Sequence, residues 1–129
     1  MFDKDLTYSL VAQIIENIET IQKRTFELQS HTDFVSSESG MILLDSVCMK
    51  LVAIGESIKS LDKITNREFL PRYPQINWKQ AMGMRDIIVH HYFDVDAEEI
   101  FKTLKEDIPL LATVLNRIKK DIKSRDQHG

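Results

Sequence analysis

Residues 84 to 96 read MRDIIVHHYFDVD, and the eight from Arg85 to Tyr92 hold an arginine, an acid, two imidazoles and a phenol in an otherwise apolar run. Arginine is a permanent cation whose planar fork matches phosphate oxygens. Histidine titrates near neutrality and moves protons in either direction. Together the two suit metal-independent cleavage of an RNA phosphodiester. The substrate's own 2′-hydroxyl attacks, an imidazole transfers protons, and a guanidinium stabilises the charged transition state. A tyrosine hydroxyl beside them would bind substrate or act as a nucleophile toward a nucleotide.

Spacing constrains this chemistry. On a helix advancing about 100° per residue, Asp86 and His90 share a face, while Arg85 and Tyr92 lie two turns apart on nearly one face. Arg85 and His90 point about 140° away from each other on an ideal helix, so one chain does not easily bring both to the same atom. Two copies meeting across a two-fold axis would place two Arg/His sets in one cleft. Plainer roles compete: a histidine ending an apolar helix as a hydrogen-bonded packing residue, and Arg85 with Asp86 as a surface ion pair of little consequence. HHYFDVD is a poor metal site, because His90 and His91 are adjacent and diverge and the usual i, i+4 histidine spacing is missing. No metal and no cofactor is expected.

The elements that must position these residues read as helices. The chain has 129 residues, a length that fits one domain over residues 1–129, and only four glycines and three prolines. That scarcity disfavours a sandwich or barrel with its many turns. A net charge of -3 argues against a generally sticky nucleic-acid or membrane binder without excluding a local basic groove. Cys48 is the one cysteine, which removes intrachain disulfides and multi-thiolate metal sites and fits a reducing cytoplasm. The N-terminus MFDKDLTYSL does not read as a signal peptide, and no run approaches the roughly 20 apolar residues of a membrane span.

Leu10, Ile14, Ile18 and Ile21 form the stripe of a first amphipathic helix from Leu6 to about Leu28. SHTDFVSSESG then reads as a loop or a frayed helix start. A second helix, from about Met41 to Leu61, carries Val47, Leu51, Ile54, Ile58 and Leu61 and should be the most buried. Pro71 and Pro74 force an extended or short-turn connection. Asn77 is a good N-cap for a third helix carrying Trp78, Ala81, Met84 and Ile88. FDVD breaks that helix, and Asp96 with Glu99 has the spacing of a capping box that starts a fourth. Pro109 should kink the fourth helix or end its first part near Ile108. The basic tail NRIKKDIKSRDQHG reads as a solvated helix face or as part of an RNA-binding rim. The expected fold is all-α, an antiparallel bundle of four to five helices with a kinked C-terminal helix.

Arg85-x4-His90-x-Tyr92 resembles the R-x4-H-x-Y signature of the HepT-like branch of the HEPN (higher eukaryotes and prokaryotes nucleotide-binding) superfamily. LVAIGESIKSL resembles that family's second long helix with its Ile-Gly-Glu core. YPQINWKQAMGMRDIIVHHYFDVDAEEIF resembles its proline turn, Trp-bearing motif helix and following helix, and EDIPLL is also typical. The resemblance is detailed from about residue 41 to 115 and looser over the first helix. It implies a HEPN-like bundle acting as a homodimeric, metal-independent endoribonuclease, the toxin of a type VII-like toxin–antitoxin pair, with Arg85 and His90 as the catalytic pair. It also implies a minimal nucleotidyltransferase antitoxin that transfers AMP to Tyr92 and silences the toxin, since bulk and negative charge beside Arg85 and His90 would repel a phosphodiester. Asp86 falls where the family often has Asn or Asp and would orient His90. Glu56 would be an inward-facing polar partner on the second helix, or an ordinary solvated glutamate. His91 departs from the family's common Gly at that position. The alternative is a non-catalytic helical partner that the nucleotidyltransferase binds and modifies. RNA is the expected substrate, with no DNA and no membrane among the partners.

Overall fold

The computed structural model describes residues 2–90 and 96–128, and for 87, 89, 90 and 124–128 it describes the backbone only. Every regular element among them is helical, so the fold is all-α. Helix α1 runs Lys4–Thr25, starting two residues before and ending three residues before the expected Leu6–Leu28, and α2 runs Glu38–Ile64, three residues longer at each end than the expected Met41–Leu61. Asp3 accepts from the Leu6 backbone N–H and Ser37 accepts from that of Gly40, satisfying donors that a helix start leaves open. Arg24 donates to Ser46 and Lys50 to Asn17, so rising numbers on α2 meet falling numbers on α1 and the pair is antiparallel.

The connection between them is more ordered than a loop. His31–Phe34 form a 3-10 turn closed by a capping box, in which Asp33 accepts from the Gln29 and Ser30 backbone N–H groups. Those two bonds hold the Asp33 carboxyl below its usual pKa, the Gln29 bond contributing most. Phe34 is fully buried beneath it. Gly40 makes this docking possible, since a Cβ there would overlap the Asp33 carbonyl oxygen and lie 3.0 Å from that of Phe34.

After α2 the chain turns through Asn66 and Arg67, both at φ +58°, and a 3-10 turn at Leu70–Arg72 that takes Pro71. Tyr73 ties this connection down. Its hydroxyl donates to Asp121 at 2.6 Å, and its carbonyl accepts from the Trp78 indole at 2.9 Å. Asn77 caps the next helix as expected, accepting from the Gln80 N–H. The expected third helix is in fact two: α3, Trp78–Met82, and α4, Met84–His90, separated at Gly83.

Asp96 caps α5, Ala97–Lys102, by accepting from the Glu98 and Glu99 N–H groups. A π turn at Thr103–Asp107 follows and leads into α6, Ile108–His128. The widened turn is the local answer to Pro109, which supplies no N–H and whose ring would crowd the Lys105 carbonyl in an unbroken α-helix. Helix α6 therefore begins at Ile108, where the sequence placed the disturbance. Helix α5 packs on the 3-10 turn at the far end of α1, while Lys119 sits over the Tyr8 ring near its start, so the α5–α6 rod is antiparallel to α1. One apolar core, from Val11 through Ile54 and Ile58 to Ile122, joins the bundle. Among the described residues no helix is long and apolar enough to cross a membrane.

Candidate functional site

The motif helix is fastened from both sides. Met84 and Ile88, one turn apart, are buried and turn one face of α4 into the core, as Trp78 does for α3. On α2, Gly55 lets the backbones of α3 and α4 come close. A Cβ at Gly55 would stand 3.4 Å from the carbonyl oxygens of Ala81 and Met82 and 3.5 Å from the Arg85 nitrogen. The Ile-Gly-Glu sequence thereby acquires a physical account: Ile54 is in the core, Gly55 admits the crossing, and Glu56 emerges beside it.

At that crossing the Arg85 Nη1 donates to the Glu56 Oε1 at 3.2 Å. The side chains are 49% and 45% exposed, so the pair stands at the surface, open to solvent and to a ligand. A pair this exposed adds little to stability. Its consequence is orientation: one N–H of the guanidinium is committed to Glu56, and no other described residue takes the rest of the fork, which suits phosphate oxygens. Asp86 is exposed and carries no side-chain hydrogen bond or ion pair among the described residues. The alternative of an Arg85–Asp86 ion pair is not what the structure has, because Arg85 pairs with Glu56 instead.

His90 is the last residue of α4, and its imidazole lies outside the described side chains. His91 and Tyr92 lie outside the described residues. The structure thus brings Arg85 and Glu56 together and places Asp86 one turn before His90 in α4. Among the described residues no three His, Cys, Asp or Glu side chains converge on a metal position. Cys48 is buried in α2, and burial, with Asp45 adding to it, raises its thiol pKa from 9.0 to about 11. It is an inert core residue.

One feature had no signal in the sequence. A cleft of about 430 Å³ opens between α3, the first turn of α4, and the π turn and α6, with Gln80, Met84, Glu106 and Leu111 among its walls. Only the Pro109 disturbance pointed to irregular backbone there.

Comparison with known proteins bears directly on this arrangement. The family model described as "Ribonuclease HepT-like" matches residues 13–118. A Methanocaldococcus jannaschii protein with a provisional RNase name is 30% identical over 116 residues, covering 90% of this chain and 89% of its own. The protein named probable ribonuclease HepT of Thermococcus cleftensis is 34% identical over 107 residues, covering 83% of this chain and 90% of its own. A second M. jannaschii protein, whose name joins gamma-glutamylcyclotransferase with a provisional RNase, is 35% identical over 109 residues; the match spans 84% of this chain but only 46% of that longer protein. No solved structure matches the chain significantly. With most of its length matched to one family model and full-length relatives at this identity, the chain belongs to the HepT-like ribonuclease family.

Proposed function

We propose that the protein is a metal-independent endoribonuclease, acting as a homodimer and serving as the toxin of a toxin–antitoxin pair. The observation that carries this reading is Arg85, held 3.2 Å from Glu56 on the open face of a helix whose other face is locked into the core. Such a guanidinium is preorganised for a phosphate that arrives from solvent. In the proposed step, the 2′-oxygen of the substrate attacks the adjacent phosphorus as its proton passes to an imidazole. The bond from phosphorus to the 5′-oxygen breaks, the leaving oxygen takes up a proton, and a 2′,3′-cyclic phosphate remains. His90 is the proton carrier, Asp86 orients it from one turn away, and Arg85 neutralises the charge that builds on the phosphoryl oxygens. Because the nucleophile is a 2′-hydroxyl, RNA is cut and DNA is not.

The homodimer answers the divergence of Arg85 and His90 within one helix. A surface feature supports it: Ile42, 63% exposed, and Met49, 75% exposed, lie seven residues apart on α2, and Glu56 lies seven beyond Met49. Residues two turns apart share a face, so an exposed apolar stripe leads to the candidate site. Control is assigned to Tyr92. A nucleotidyltransferase partner would pass the AMP of ATP to the phenol: the tyrosine oxygen bonds to the α-phosphorus, pyrophosphate leaves, and the phenolic proton goes to a base. The added phosphate would repel substrate from Arg85. The setting is the reducing cytoplasm, where Cys48 stays a thiol.

The test compares wild type, Arg85→Ala and His90→Ala for growth arrest and for RNA cleavage with EDTA present. Wild type should cut and both variants should not. Equal behaviour of all three, with folding intact, overturns the catalytic reading. An AMP adduct on a chain that never cuts RNA would favour a non-catalytic binding partner.

A further inference from the structure

The cleft between α3 and the α5–α6 rod is not explained by RNA cleavage. Its floor is apolar, built by Ala81, Met84 and Leu111, and Leu110 stands 46% exposed among its walls. Around that floor Glu99, Glu106 and Asp107 contribute three carboxylates against the single ammonium of Lys102. None of these acids has a hydrogen-bond or ion-pair partner among the described residues. A polyanion such as RNA is repelled by this rim. A protein segment presenting an arginine or lysine beside an apolar side chain satisfies both the rim and the floor.

The position of the cleft says which partner needs it. Met84 opens α4, and Glu99 lies one turn into α5, so the cleft borders both helices that the 91–95 segment joins. Tyr92 is four residues from the α5 cap Asp96. A protein seated in the cleft lies beside the start of α5, the element that follows Tyr92 in sequence, while Arg85 pairs with Glu56 of α2.

We infer that this cleft is the docking site for the protein that modifies Tyr92, and that it receives a basic, apolar-anchored segment of that protein. The inference rests on the modification reading above and adds where the partner binds and what chemistry it must present.

The experiment uses the full chain, a minimal nucleotidyltransferase, and ATP with magnesium. Binding is measured by titration calorimetry and the Tyr92 adduct by intact mass and peptide mapping. The pair Glu106→Lys with Asp107→Lys should weaken binding by roughly tenfold or more and slow AMP transfer, while RNA cleavage by the unmodified variant stays within about twofold of wild type. Lys102→Glu should act oppositely and tighten binding. If the double reversal disturbs folding, Glu106→Gln with Asp107→Asn removes the charge without reversing it and should weaken binding in the same direction. Unchanged affinity and transfer rate in the folded variants overturns the cleft assignment and leaves the modification reading standing. Failure of wild type to bind or acquire AMP overturns the modification reading, and this inference falls with it. Faster RNA cleavage or altered base preference in the reversal variants would assign the cleft to the RNA path and overturn the inference.

Discussion

At the scale of single residues, Arg85 and Glu56 separate function from stability. Arg85→Ala should reduce RNA cleavage by roughly a hundredfold or more, the scale expected when one positioned charge-stabilising donor is lost. Arg85→Lys should not restore it, since a point ammonium cannot keep Glu56 and bridge two phosphate oxygens together. Glu56→Gln should lower kcat while thermal unfolding moves by no more than about 1 kcal/mol, because the pair is exposed. A stability loss without an activity loss would make Glu56 structural only. Cys48 gives a pH prediction with a definite sign. Its thiol is raised to about 11 in the folded chain, whereas the unfolded chain releases that proton near the ordinary value of 9.0. The folded state holds the proton more tightly, so this contribution to stability is complete below pH 9 and is lost as pH rises from 9 to 11. Denaturant unfolding across that window should show the decline, and Cys48→Ala should flatten it.

At the scale of elements, the glycines on α2 tell apart a surface that admits a neighbour from one that locks it. Gly55→Ala brings a Cβ to ordinary packing distance of the α3–α4 backbone and should leave activity near wild type, whereas Gly55→Leu should wedge the motif helix away and abolish cleavage. Gly40→Ala is different in kind. Its Cβ would overlap the Asp33 carbonyl, so the 3-10 turn must move, at a cost of about 1–3 kcal/mol by thermal or chemical unfolding. Asn77→Ala should lose a further cap worth about 1 kcal/mol and loosen α3, on which the motif helix depends.

At the scale of the whole molecule, the exposed stripe of α2 makes the oligomeric state testable. Light scattering should show a dimer for wild type. Ile42→Asp with Met49→Asp should shift it to monomer and reduce RNA cleavage in step, if the proposed composite cleft is built from two copies. A fully active monomer would overturn the two-copy arrangement while leaving Arg85 in place.

What the sequence determined is what depends on local periodicity and chemistry. The stripe Leu10, Ile14, Ile18 and Ile21 dictates α1; of its four, all but the half-buried Leu10 are fully in the core. Asn77 and Asp96 announce the helix starts that they cap, since capping joins neighbours in sequence. Arg85, Asp86 and His90 were legible as a set because they occupy one short helix. What only tertiary structure decided involves residues far apart. The sequence left Glu56 between a partner and a solvated surface charge, and only the crossing at Gly55, 30 residues before Arg85, pairs it with the guanidinium. Gly83 interrupts a helix that periodicity draws as continuous, whereas the break before Pro109 was legible in the sequence and only its π form came with the structure. The acidic cleft belongs to the same class: its walls come from three stretches of chain, and their charges acquire meaning only when the bundle brings them together.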